Sequence, residues 1–252
     1  MTGVQTCALP IYNIYEKILK TRKKESIVSS NTSTITLKVL SAKMSEKDKK
    51  DFLEFLKYQT TAEYGGYQIF DGRRSHLLHV PEELTDFIFF LKQHEKKRGK
   101  KIKRFLEIGY STGKTNTILN KFFKFEQIVA VDNFSAHIST DDLWANLMRK
   151  KLVLITGNSN KPDVISVVKR FQPFDLILID GSHEYKDAKN DLQKYSKMLG
   201  QKGVLAAHDI HQKDMGVEKA WTEFKSSADY SYKEIFHPKY FFNCGMGIAI
   251  KK

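Results

Sequence analysis

Arg104-Phe-Leu-Glu-Ile-Gly-Tyr-Ser-Thr-Gly-Lys-Thr115 decides how this chain is read. A short apolar run, Phe105–Ile108, breaks at Gly109 and is followed by a second glycine, Gly113. Glycines permit a tight turn and close approach of the backbone to a ligand, and a following helix presents free N–H groups. Three ligand classes use such a turn. A phosphate-cradling P-loop needs four residues between its glycines before Lys-Thr, whereas Gly109 and Gly113 enclose three. A dinucleotide fingerprint needs glycine at positions 111 and 114, where Ser111 and Lys114 stand. What remains is Glu107-x-Gly109-x-x-x-Gly113, a strand–turn–helix signal that fits neither nucleotide fingerprint.

Outward from this turn the texture is repetitive. Phe105–Ile108, Ile128–Val131, Leu152–Ile155, Phe174–Ile179 and Val204–Ala207 are short apolar runs separated by helical stretches. Continuous apolar strands alternating with helices predict a parallel sheet covered on both faces. Tyr232–Phe236 and Met246–Ile250 add two strands expected to pair antiparallel at one edge. In open sheets of this kind ligands bind beyond the carboxyl ends of the strands, so those ends carry the chemistry.

The second strand ends in Asp132-Asn133-Phe134. A carboxylate about 20 residues past the glycine turn can accept bonds from both ribose hydroxyls, which supports an adenosine ligand without choosing between NAD and S-adenosylmethionine. Phe134 reads equally as an adenine platform or a core residue. Asn158 and Ser159, after the third strand, are small polar groups suited to an adenine edge. The fourth strand ends in Asp180-Gly-Ser-His183-Glu-Tyr185 and the fifth in His208-Asp209. Two carboxylates on adjacent strand ends suit a hard cation such as Mg²⁺. A cation there would lower the pKa of a substrate hydroxyl, and a nearby imidazole would take its proton.

Upstream, Ser45-Glu-Lys-Asp begins one helix and Pro81-Glu-Glu another, with Leu84, Phe87, Ile88 and Leu91 on one face. Residues 12–100 read as a helical, lid-like extension and 101–252 as the sheet domain. The Tyr64-Gly-Gly-Tyr67 loop, with Arg73 and Arg74 after it, is expected to cover an acceptor. Met1–Ile11 reads as the translation of a sequencing adapter and is set aside. The formal net charge is +13, mostly lysine, and densest at Lys96–Arg104. A lysine run is usually a solvated face, whereas phosphate readers mix in arginine and aromatics, so nucleic acid is not favoured as a partner. No apolar run is long enough to span a bilayer. With Cys7 set aside with the adapter, one cysteine, Cys244, remains; it cannot form an internal disulfide, and a cytoplasmic location follows by default. A homo-oligomer is compatible with this composition.

Residues from about 78 to 250 resemble class I S-adenosylmethionine-dependent methyltransferases, in particular the cephalosporin-hydroxylase and macrolide-sugar O-methyltransferase group. The resemblance rests on Phe-Leu-Glu-Ile-Gly109, Val-Asp132, Gly-Asn-Ser159, Ile-Asp180-Gly-Ser-His-Glu-Tyr185 and Gly203-Val-Leu-Ala-Ala-His-Asp-Ile210. Gly216-Val-Glu-Lys-Ala-Trp221 and Gly245-Met-Gly-Ile-Ala-Ile250 extend it. It implies an α/β fold: a doubly wound, mostly parallel, seven-stranded Rossmann-like sheet with an N-terminal helical extension. It also implies S-adenosylmethionine held by Glu107, Gly109, Ser111, Gly113, Asp132, Asn133, Asn158, Ser159 and Asp180. Magnesium would be held by Asp180, His208 and Asp209, with His183 as base. His208 departs from the group, which has a carboxylate there. The implied activity is O-methylation of a hydroxyl on a small molecule or glycan. The alternatives are a nucleic-acid methyltransferase, which lacks its usual Asn/Asp-Pro-Pro-aromatic motif here, and a P-loop-like nucleotide-binding protein.

Overall fold

Ser45 and Asp48 open the first described helix as a reciprocal cap. The Asp48 carboxylate accepts from the Ser45 N–H at 2.7 Å, and the Ser45 hydroxyl accepts from the Asp48 N–H at 3.1 Å. The computed structural model describes residues 45–59, 79–135, 151–213, 215–238 and 244–252. Residues 1–11, the Tyr64–Tyr67 loop and Arg73 and Arg74 lie outside them.

Helix α1 spans Glu46–Gln59 and α2 spans Pro81–Arg98. Strand β1 (Arg104–Ile108), α3 (Lys114–Phe123) and β2 (Gln127–Asp132) follow. Then come β3 (Leu152–Thr156), α4 (Pro162–Lys169), β4 (Phe174–Ile179) and α5 (Tyr185–Tyr195). The chain continues through β5 (Leu199–His208), α6 (Val217–Phe224), β6 (Tyr230–Ile235) and β7 (Met246–Lys251).

The seven strands form one sheet in the order β3-β2-β1-β4-β5-β7-β6. Neighbours from β3 through β5 are parallel, while β7 is antiparallel to both β5 and β6. The expected terminal hairpin is present, but β7 lies inside the sheet and β6 forms the edge. Continuous apolar sequence explains that placement: Met246, Ile248 and Ala249 are fully buried, whereas β6 alternates buried and exposed residues as an edge strand does. Strand β5 begins earlier than its apolar run. Leu199 pairs with Phe174, and an irregularity between Phe174 and Leu176 absorbs the polar Gly200–Gly203 stretch.

The chain steps outward from β1 to β3, then returns to lay β4 on the other side of β1. That reversal opens a crevice above the β1 and β4 carboxyl ends. Helix α2 is buried on more than its apolar face. Glu83 is fully buried and accepts the N–H groups of His237 (3.0 Å) and Gly245 (3.1 Å), tying α2 to the segment that enters β7. Lys92 donates to the Phe122 carbonyl, and Glu95 accepts the Ile102 N–H. Among the described residues no helix is long and apolar enough to cross a membrane.

Candidate active site

The turn after β1 is built on Gly109, whose φ is +89°. A Cβ at this position would overlap the backbone carbonyl of Asp180, so only glycine lets the β1 and β4 ends approach this closely. Gly109 N–H bonds to the Val131 carbonyl (2.9 Å) and Asp180 N–H to the Ile108 carbonyl (2.8 Å), fixing three strand ends in register. Each Asp132 oxygen accepts one backbone N–H, from Ser111 (2.7 Å) and from Phe134 (2.6 Å). Both residues adopt positive φ to reach it. An ionised carboxylate offers about four acceptor sites, so each oxygen keeps a lone pair for a ligand.

These ends line a cleft of about 530 Å³. Of the residues expected from sequence, Gly109, Ser111, Asp132, Asn133, Asn158, Ser159, Asp180, His183, His208 and Asp209 line it. Glu107 and Gly113 do not. Glu107 is buried one layer below and accepts the Asn116 amide at 2.9 Å. Gly113 is the left-handed residue that starts α3 and lies against the Tyr110 ring. Ser159 contributes position rather than a free hydroxyl. Its Oγ donates to buried Asp191 (3.0 Å), and its carbonyl accepts from Tyr195 (2.7 Å). Burial raises the Asp191 carboxyl to about 7.

At the other end of the cleft four titratable side chains meet. His183 Nε2 lies 3.1 Å from Asp209 Oδ2. His208 Nδ1 lies 3.2 Å from the same oxygen and 3.4 Å from Asp180 Oδ1. The hydrogen bond to Asp209 raises His183 above its ordinary value. Burial alone would depress His208, but the Asp209 and Asp180 charges hold it well above the usual imidazole range. Asp209 is buried and Asp180 half-buried, which would raise both carboxyls, and the His208 charge instead holds them below their ordinary value. Among the described residues two donor triads converge, Asp180–His183–Asp209 and His208–Asp209–Cys244, with donor atoms within 4.8 Å of one another.

Sequence reading missed His79. It is fully buried, its Nε2 lies 3.0 Å from Thr115 Oγ1, and its ring meets His208 edge-on with centroids 4.3 Å apart. Burial, then the His208 charge, lowers its pKa to about 3, so it is neutral. Nothing local marks it, because its neighbours are distant in sequence. Cys244 was noted only as the remaining thiol; the fold brings it to the cleft wall.

The lysine run sits where the strands begin, at the opposite end of the sheet from the cleft. Arg98 and Lys100 each reach Asp175 at 3.2 Å, Lys101 reaches Glu95 at 3.3 Å, and Lys103 reaches Glu126 at 2.6 Å.

Residues 106–210 match the family model described as a methyltransferase domain. No curated protein matches the chain in sequence. The fold is similar to that of the O-methyltransferase TomG from Streptomyces achromogenes, involved in tomaymycin synthesis and solved in complex with SAM. The two are 17% identical over 67% of this chain and 80% of that one, with a TM-score of 0.51. It is also similar to an O-methyltransferase from Bacillus cereus solved in complex with SAH, at 12% identity over 93% and 97% of the chains and a TM-score of 0.53. The sheet thus shares the Rossmann-like fold of these two methyltransferases.

Proposed function

We propose, taking residues 106–210 as a methyltransferase domain, that the protein transfers the methyl group of S-adenosylmethionine to a hydroxyl of a small molecule or glycan. The observation that carries this reading is the layout of one cleft, with Asp132 at one end and Asp180, His183 and Asp209 converging at the other. Its volume is within the ordinary range for small-molecule sites. In this reading Asp132 takes the ribose hydroxyls, Asn133, Asn158 and the Ser159 backbone border the adenine, and Gly109 and Ser111 bring main chain against the cofactor.

The sulfonium already activates the methyl group, so the protein's contributions are alignment and removal of the hydroxyl proton. His183 is the side chain placed to accept that proton. Asp209 at 3.1 Å orients its ring and stabilises the imidazolium that forms. Asp180 and Asp209, with His208 between them, are the residues that would hold a divalent cation. Bound there, a cation would supply positive charge to an acceptor oxygen. The two carboxylates suit magnesium, but the imidazole does not, since Mg²⁺ prefers oxygen ligands.

Calorimetry of the purified protein against S-adenosylmethionine, ATP and NAD tests the cofactor. Binding of S-adenosylmethionine alone is expected, and micromolar ATP binding without it would overturn the reading. His183→Ala should leave cofactor affinity unchanged and slow single-turnover methyl transfer about 10²- to 10⁴-fold. Unchanged turnover removes His183 as base.

A further inference from the structure

The donor atoms at the β4 and β5 ends are spaced as ligands of one ion are. Two ligands on a metal with bonds of about 2.1 Å stand about 3.0 Å apart in octahedral and about 3.4 Å apart in tetrahedral geometry. The observed separations are 3.1 Å (His183–Asp209), 3.2 Å (His208–Asp209) and 3.4 Å (His208–Asp180). The last exceeds the usual range of a direct N–H···O bond.

The chemistry of the set differs from that of a magnesium site. Magnesium takes oxygen ligands and keeps several waters. Here an imidazole from His208, almost fully buried, reaches both carboxylates, and the Cys244 thiol groups with His208 and Asp209. Imidazole suits the first-row transition ions, and sulfur shifts preference further from hard cations. We infer that Asp180, His208 and Asp209 form a site for a divalent transition ion of borderline softness, of the zinc or cobalt kind, in preference to magnesium. This deepens the proposed cation role and rests on the reading of Asp180 and Asp209 as the cation-holding pair.

The test is calorimetric titration of chelator-treated protein with Zn²⁺, Co²⁺ and Mg²⁺, with S-adenosylmethionine binding measured on the same metal-free sample. Zn²⁺ and Co²⁺ should bind at least about tenfold more tightly than Mg²⁺. His208→Asp, which restores an all-carboxylate set, should narrow or reverse that preference. Circular dichroism and the thermal midpoint check that the variant is folded. Equal or tighter Mg²⁺ binding by the native protein overturns the inference, as does the absence of binding by any of the three ions. So does a folded His208→Asp variant whose preference is unchanged. Loss of the methyltransferase reading would show separately, as failure of the metal-free protein to bind S-adenosylmethionine.

Discussion

Asp132 and Asp191 are both carboxylates beside one cleft, but their environments give them opposite duties. Asp132 accepts two backbone N–H groups and faces the ligand space. Asp132→Ala should lower affinity for S-adenosylmethionine by about 10- to 100-fold, the worth of one to two charge-assisted bonds, and calorimetry would show it. An undiminished affinity removes Asp132 from the cofactor site. Asp191 is buried with a single hydrogen bond, from Ser159, and its pKa of about 7 means that the folded state holds a proton the unfolded chain has released. Its folded pKa is raised, so its contribution is present in full below the unfolded pKa and is lost as pH rises through about 7. The loss is of order 4 kcal/mol. Asp191→Asn mimics the protonated form. Its thermal midpoint should therefore gain on that of the native protein by several degrees between about pH 5 and pH 8. A constant difference across that interval would place the Asp191 carboxyl elsewhere on the scale.

Among the elements, α5 and α6 position the His183 loop more than their amphipathic sequences suggest. Gly216, just before α6, donates its N–H to the His183 carbonyl at 2.8 Å, and a Cβ there would overlap the Tyr185 backbone. Gly216→Ala must therefore displace the Tyr185 backbone or the Gly216 N–H that holds the His183 carbonyl. The expected result is turnover lowered by about tenfold or more with cofactor affinity unchanged, because displacement by about an ångström is costly to alignment. Equal kinetics for native and Gly216→Ala proteins would show that the loop tolerates the shift. The elements themselves were legible from Arg104 onward because parallel strands are buried on both faces and read as unbroken apolar runs. The placement of β7 inside the sheet was not legible, since pairing order is a long-range property. The same limit separates Asp180, His183 and Asp209, found from their strand ends, from His79, whose partners Thr115 and His208 lie far along the chain. Glu107 was read from the same motif, and in the structure it lies off the cleft lining and accepts the Asn116 amide.

On the scale of the whole molecule, the charge of +13 and the cleft are separate features. Residues of the densest basic run are paired with Asp175, Glu95 and Glu126 at the far end of the sheet. Any affinity for RNA should therefore match that for a scrambled polyanion, fall steeply with salt, and be indifferent to S-adenosylmethionine. Binding that is sequence-selective and competes with the cofactor would join the two ends and favour nucleic acid as acceptor.

Glu83 lies outside the segment that matches the methyltransferase model, yet its carboxylate holds Gly245, beside Cys244 in the cleft wall. His79, also outside it, packs on His208. The cleft of the sheet domain is therefore buttressed in part by the preceding segment, through His79 and through Glu83 of α2. A fragment trimmed to Lys101 would expose His208 and release the approach to β7. It should be expressed as an aggregation-prone or partly molten protein even though it retains every strand, and supplying residues 45–100 in trans is the complementation that would restore it.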